Sequence, residues 1–302
     1  MELSQLRMFK AVAQTGSIVK ASERLHCVPS NITTRLKQLE DELGTQLFIR
    51  HGRGLVISPD GITFLSYVDQ ILGLCDEACH ALGPTASPTG TLKIGAIESF
   101  ATARLPKLLA DYHDRYPSVD IEFSTGTWQM LIKAVSDLQL DGAIIAVKPD
   151  QPDINFLEIY QEALVVVAHA SLGRVGCAHD LRHQQIFMWP VGCPYRAALT
   201  HWLSLHQVEV QITSIASYAT ILACVSAGAG ITLLPKAVYE QFSGIGNLQC
   251  YCFNDLLPIH SYFIWNHRIR HHPARQAWID LLKGVTPEFG ENSTLRNLVE
   301  YF

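Results

Sequence analysis

Residues 26–50 read HCVPSNITTRLKQLEDELGTQLFIR, and their polar side chains are sorted along the stretch. Ile32, Leu36, Leu39 and Leu43 follow 4-3-4 spacing, the buried stripe of an amphipathic helix. Pro29 suits the first turn of that helix and Gly44 its end. Ser30, Asn31, Thr33, Thr34, Arg35, Lys37 and Gln38 come first with no acid among them; Glu40, Asp41 and Glu42 follow. A helix tip entering the major groove runs between two rows of phosphates, which repel a carboxylate. Hydroxyl, amide and guanidinium groups instead donate to base edges or phosphate oxygens. The partial positive charge of a helix N-terminus adds to that attraction. A solvated face that lacks acids by chance is the competing reading, and this helix alone does not separate the two.

The flanks favour the first reading. Upstream, Leu6, Phe9, Val12 and Ala13 repeat at helical spacing until Gly16-Ser17, where Ser17 can cap a short helix carrying Ile18, Ala21 and Leu25. Two short helices before a longer one with a polar leading end make a helix-turn-helix. Downstream, Leu47–Ile49 and Leu55–Ile57 flank Arg50-His51-Gly52-Arg53-Gly54, a basic, glycine-flexed hairpin tip. Arg50 and Arg53 on such a tip reach phosphates or a minor groove. The expected DNA-contacting set is Ser17, Pro29, Ser30, Asn31, Thr33, Thr34, Arg35, Lys37, Arg50 and Arg53.

Charge is distributed to match. Residues 1–58 hold eight basic and five acidic residues, a balance of +3, whereas the other 15 basic and 23 acidic residues leave −8. A basic head on an acidic body points to a polyanion partner for the head. At 302 residues the chain is long enough for about two ordinary domains. No stretch has the roughly 18 apolar residues of a membrane span, and the N-terminus lacks the layout of a secretory signal. Eight scattered cysteines are not a disulfide framework; they are expected as free thiols in a reducing, bacterial-type cytoplasm.

With these residues in view, LRMFKAVAQTGSIVKASERLH followed by RLKQLEDELGTQLFIRHGRGLVISPDG resembles the winged-helix head of LysR-type transcriptional regulators over nearly all of residues 3–61. The chain departs from that pattern where most members have Ser-Gln-Pro in place of Val28-Pro29-Ser30, and often Ser-Arg in place of Thr33-Thr34. Those positions meet DNA in the family, so the departure leaves the base preference open. The resemblance implies double-stranded operator DNA as partner, self-association as a homodimer and homotetramer, and RNA polymerase as a further partner.

Beyond Asp60, Leu65, Val68, Leu72, Cys75, Cys79 and Leu82 are spaced 3-4-3-4-3, a heptad seam expected to pair with a second subunit. Paired helices place two reading heads on successive turns of a duplex. Cys75 and Cys79 fill that seam as small apolar groups better than they serve a metal, because no further ligand converges. Gly83-Pro84 ends the helix, and a small-residue linker runs to Gly90.

From Thr91 strands and helices alternate. TLKIGAI, VDIEFSTG, DGAIIAV, ALVVVAHA, QIFMWP and SYFIWN read as strands; ARLPKLLADYHDRYP, WQMLIKAVSDLQL, YRAALTHWLSLHQ and YATILACVSAGA read as helices. The expected fold class is α/β, with largely parallel sheets in two small lobes joined by crossing strands. GTLKIGA, DGAIIA and AGAGITLLP are similar to segments of the LysR effector domain, which implies a two-lobe module like the periplasmic binding proteins. The expected divisions are 1–58 for the winged head, 59–90 for the linker helix and hinge, 91–284 for the effector-binding domain and 285–302 for a tail. A last helix is expected within the tail, over 294–301.

No serine elbow, phosphate-binding glycine loop or metal spacing is present, so no enzymatic activity, cofactor or metal is expected. His267, His271 and His272 are expected as solvated side chains, since neither helix nor strand spacing converges them. Ligands of α/β sheets sit at the carboxyl ends of strands. That rule brings forward Glu98, Ser99, Phe100 and Thr102, then Thr127 and Trp128, and in the other lobe Cys193, Tyr195, Arg196, Ser217 and Tyr218. Ser99, Thr102, Thr127 and Arg196 suit a carboxylate, Glu98 an amine, and Trp128 and Tyr195 flat apolar walls, so a small carboxylate or amine metabolite is the expected effector. Two other readings stand beside this one. The first is a redox sensor using Cys193 or Cys224; the second is an α/β enzyme or solute-binding protein.

Overall fold

The computed structural model describes residues 1–51, 54–82, 88–242, 244, 246–269 and 272–285. Arg53, most of the expected hinge, His271 and the tail beyond 285, with its expected last helix, lie outside that set, as do the side chains of Cys79 and Leu82.

The head opens with α1 (Leu3–Thr15), α2 (Ile18–Arg24) and α3 (Pro29–Leu43), followed by the hairpin strands β1 (Phe48–His51) and β2 (Gly54–Ile57) and the linker helix α4 (Pro59–Leu82). The expected local signals act as written. The Ser17 side chain caps α2 by accepting from the Lys20 N–H, Pro29 starts α3, and Gly44 ends it at φ 69. Leu6, Phe9, Val12, Ala21, Ile32, Leu36, Leu39 and Leu47 close one core. Phe9 stands at its centre, with ring centroids 5.3 Å from Phe48 and 5.2 Å from Phe64. Gly61 lets α4 cross the hairpin, because a Cβ there would meet the Leu47 carbonyl oxygen at 2.3 Å.

The same core corrects the expected seam. Val68 is 0% exposed and Leu72 8%, both packed into the head's own cluster, with Leu65 partly buried against it. Val68 and Leu72 have almost no surface left for a second subunit. The exposed apolar face of α4 is a different one: Tyr67, Leu74 and Ala78 are exposed, and Ile71 between them is half-buried.

Two five-stranded sheets follow. The first lobe holds β3 (Gly90–Ala96), α5 (Glu98–Ala103), α6 (Leu105–Arg115), β4 (Val119–Thr125), α7 (Trp128–Ser136), β5 (Gly142–Ile145) and β6 (Ile154–Glu162). The second holds β7 (Leu164–His169), β8 (Gln185–Met188), α8 (Pro194–Leu205), β9 (Gln211–Ser214), α9 (Tyr218–Ser226), β10 (Ile231–Pro235), α10 (Lys236–Phe242) and β11 (Leu248–Tyr251). The chain then returns to the first lobe as β12 (Ile259–Asn266) and α11 (Pro273–Val285). Strand orders are β4-β3-β5-β12-β6 and β11-β7-β10-β8-β9. In each lobe four strands run one way and a single strand, β12 in the first and β7 in the second, runs against both of its neighbours, so the sheets are mixed. The crossings lie at Ala163 and between Tyr251 and Ile259.

One expected helix is divided. ARLPKLLADYHDRYP does not run on from the preceding turn, because Pro106 lacks an N–H and fits only the first turn of a new helix. Arg104 falls in the break between α5 and α6, at φ −126 and ψ −31. The histidine expectation also needs correction. His267 is exposed, but His272 is buried at the start of α11, with Nδ1 accepting from the Arg275 N–H and Nε2 3.3 Å from Asp141 Oδ1.

Candidate functional site

The leading edge of α3 projects from the head into solvent. Pro29, Ser30, Asn31, Thr33, Thr34 and Lys37 are exposed, as is Arg50 on the hairpin, and Ser17 is half-buried at its cap. The acids behind that edge have structural work. Glu40 Oε1 accepts from the N–H groups of Leu47 at 2.7 Å and Phe48 at 3.2 Å, fixing the start of the hairpin against α3. Thr33 and Thr34 donate their hydroxyls back to the Pro29 and Ser30 carbonyls, so each faces outward with a methyl group and free lone pairs. A carboxylate does reach the edge from another helix: Glu2, at the cap of α1, holds Arg35 at 2.9 Å. No spacing within α3 could have signalled that contact.

Between the lobes the structure brings together part of the expected set. Ser99 Oγ and Tyr195 Oη are 3.0 Å apart, both buried. The Trp128 indole N–H donates to the Gly192 carbonyl at 2.9 Å, and the Gln241 amide donates to the Ala103 carbonyl at 3.4 Å. Phe100 is buried 6.0 Å from the Tyr160 ring. Tyr218 is buried against Trp189, whose indole nitrogen is buried with no partner among the described residues. Burial drives the Tyr195 and Tyr218 hydroxyls far above the ordinary range, so both are neutral hydrogen-bonding groups. Thr127 and Ser217 use their hydroxyls to cap α7 and α9. Glu98 and Thr127 are exposed, and Thr102 is half-buried.

The cation at this junction is not the expected one. Arg196 turns into its own lobe and donates to the Trp189 carbonyl at 3.1 Å and Ser214 Oγ at 2.7 Å. Arg104 instead makes a two-pronged pair with Glu162, at 2.8 and 3.0 Å, and lies 4.1 Å from the Tyr160 ring centroid. Burial opposes its charge, but the Glu162 carboxylate outweighs that and raises its pKa. Sequence reasoning missed Arg104, Tyr160 and Glu162, because their meeting depends on the break before Pro106.

A basic three-helix head with a hairpin, joined by one long helix to a two-lobe α/β body, is the architecture against which known proteins can be compared. The profile of the bacterial regulatory helix-turn-helix protein, lysR family, matches residues 3–62, and that of the LysR substrate binding domain matches residues 85–287. The chain belongs to the LysR family. The uncharacterised HTH-type transcriptional regulator YusT of Bacillus subtilis is 39% identical over 252 residues, covering 83% of this chain and 84% of its own length. GltR of the same organism is 35% identical over 256 residues, covering 84% and 86%. Among solved structures, a full-length OxyR from Pseudomonas aeruginosa superposes with a TM-score of 0.76 at 21% identity over 94% of each chain. CbnR in complex with its target DNA gives 0.68 at 21% identity over 94% of this chain and 99% of its own. The protein is thus a LysR-family DNA-binding transcriptional regulator with an effector-binding domain.

Other features bear on how a LysR regulator of this sequence works. Burial pushes the Cys193 thiol up, the opposite of what a reactive thiol needs, so Cys193 lends the redox reading no support. Among the described residues no group of three or more His, Cys, Asp or Glu is placed to hold a metal ion, and no helix is long and apolar enough to cross a membrane. An open depression of about 490 Å³ lies away from the interlobe residues, between α6 and edge strand β4, lined by Leu109, His113, Val119, Ile121 and Phe123 among others.

Proposed function

We propose that this LysR-family chain reads its operator through Ser30, Asn31, Thr33, Thr34 and Lys37 on α3. Arg35 joins them once phosphate competes for it with Glu2, and Ser17, Pro29, Arg50 and Arg53 secure the head on the backbone. The observation that carries this reading is the exposed leading edge of α3, to which α3 itself contributes no carboxylate. A second copy pairs along Tyr67, Ile71, Leu74 and Ala78, whose 4-3-4 spacing supplies a second, outward seam on α4. The chain works in the bacterial cytoplasm, where its duplex lies, and catalyses no covalent step.

The effector enters between the lobes at Ser99, Thr102, Thr127, Trp128, Tyr195 and Tyr218. A small molecule with a carboxylate fits the hydroxyl groups there, the Trp128 and Tyr195 rings supply walls, and an acceptor on the ligand would satisfy the Trp189 N–H. Glu98 and Arg196 stand at the margin. The effector acts by favouring one packing of the lobes and so one geometry of the oligomer on DNA. The test is a thermal-shift screen of the full chain against small carboxylates and amines. A selective stabiliser is expected, with its effect lost in Thr102→Val; a stabiliser that acts equally on that variant contradicts the assigned site.

A further inference from the structure

Gln139, in the loop after α7, reaches out of the first lobe to the linker helix. Its side-chain amide donates to Asp69 Oδ2 at 3.4 Å, while Asp69 Oδ1 takes the Lys10 ammonium at 2.6 Å. One carboxylate on α4 therefore joins α1 of the head to the first lobe. Asp69 is a buried group, and removing a polar group from water is offset only by partners of this kind. One turn further along α4, a Cβ at Gly73 would lie 3.9 Å from that of Leu138, so the loop packs against the helix beside the polar contact.

The loop is held on its other side as well. Leu138 adopts φ 57, and the turn is closed by Leu138 N–H to the Val135 carbonyl and Gln139 N–H to the Ala134 carbonyl. Two residues on, the Asp141 N–H donates to the Lys93 carbonyl and Asp141 Oδ2 accepts from the Lys93 N–H, tying the segment to β3. The helix leading into this turn is nine residues long, a rod of about 13 Å at 1.5 Å per residue. Its buried face, Leu131, Ile132 and Val135, fixes it on the first sheet. Its opposite end is Trp128, the residue whose indole grips the Gly192 carbonyl of the second lobe. One helix thus touches the other lobe with its first residue and leads directly into the turn that meets the linker helix.

We propose that Asp69 and Gln139 are positioning residues that couple closure of the lobes to the DNA-binding head within a single subunit. The proposal rests on the function given above. When the lobes part, α7 loses its hold on the Gly192 carbonyl and shifts Gln139 against Asp69; Asp69 in turn sets the Lys10 ammonium and with it the seating of α1 on α4. Linkage makes the coupling reciprocal, so occupation of the head by DNA must be felt at the 137–141 loop.

The experiment uses the full chain and sheared genomic duplex DNA at low salt, with backbone hydrogen exchange read at residues 137–141. In the wild-type chain the duplex is expected to change exchange there by about fivefold or more, the lower end of allosteric couplings. Gln139→Glu sets a second carboxylate against Asp69 and should abolish the change while the variant still binds the duplex. Gln139→Lys can pair with Asp69 and should keep it. Gln139 is exposed, so neither substitution threatens the fold. A wild-type chain that binds duplex without a response at 137–141 overturns the coupling, as does a Glu variant that responds like wild type or a Lys variant that loses the response. A wild-type chain that fails to bind duplex at all overturns the function beneath it, and the coupling with it.

Discussion

The hydroxyls of Ser99 and Tyr195 meet at 3.0 Å across the two lobes, and each residue is almost wholly buried, at 5% and 3% exposure. The lobes are therefore closed on a polar contact that water does not reach. Opening them costs that bond but rehydrates both groups, so this contact by itself opposes opening by only about 0.5–1.5 kcal/mol.

Tyr195→Phe leaves the Ser99 hydroxyl buried without this partner. The expected loss is about 1–2 kcal/mol of stability, measured by urea unfolding of the full chain, and a variant as stable as wild type would deny the contact any weight.

Asp141 supplies a pH test. Burial disfavours its charge, but His272 and the Lys93 N–H outweigh this and hold its pKa below the ordinary carboxylate value. A depressed pKa stabilises the fold above the unfolded-state value of about 3.9 and loses that contribution as pH falls through the folded value. The stability gap between wild type and Asp141→Asn should therefore be full near neutrality and close in acid below about pH 4. Urea titrations across that range measure it; a gap that persists at the acid end contradicts the pairing.

The two faces of α4 are separable by substitution. Tyr67 is 58% exposed and Leu74 50%, so Tyr67→Asp with Leu74→Asp should weaken self-association in sedimentation runs while the head stays folded. Val68→Asp should instead unfold the head, because a charge would enter its core. The reverse pattern would restore the seam at Leu65, Val68 and Leu72.

Glu40→Ala removes the acceptor of two hairpin N–H groups. We expect a loss of about 1–3 kcal/mol in the stability of the head and weaker duplex binding, since Arg50 is carried on the strand that Glu40 sets. Unchanged thermal unfolding and unchanged binding would remove that role.

What the sequence disclosed was local. Ser17, Pro29 and Gly44 act through their own backbone turns, and the stripe of Ile32, Leu36 and Leu39 needs only the helical repeat, so the head could be read directly. The linker seam could not, because α4 carries apolar residues at 3-4 spacing on two faces. Only packing against Phe9 and Phe48 decides that Val68 turns inward and Tyr67 outward. In the second half, β9 and β11 escaped notice because they are four-residue edge strands, neither with more than one buried side chain. The polar centre between the lobes was half legible. Strand ends led to Ser99 and Tyr195, whereas Arg104 and Glu162 meet through a helix break and a crossing strand, relations that no short window contains.

Operator reading depends on α3 carrying into a duplex groove an edge to which it contributes no carboxylate. The direct measurement selects a preferred duplex from a random-sequence pool with the wild-type chain, then compares its affinity across salt concentrations with that of the Thr34→Ala, Arg35→Ala double variant. The double variant is expected to lose affinity on the order of 10–100-fold, to discriminate less well against other sequences and to show a shallower salt dependence. Equal affinity, equal discrimination and an equal salt slope would contradict that role for α3.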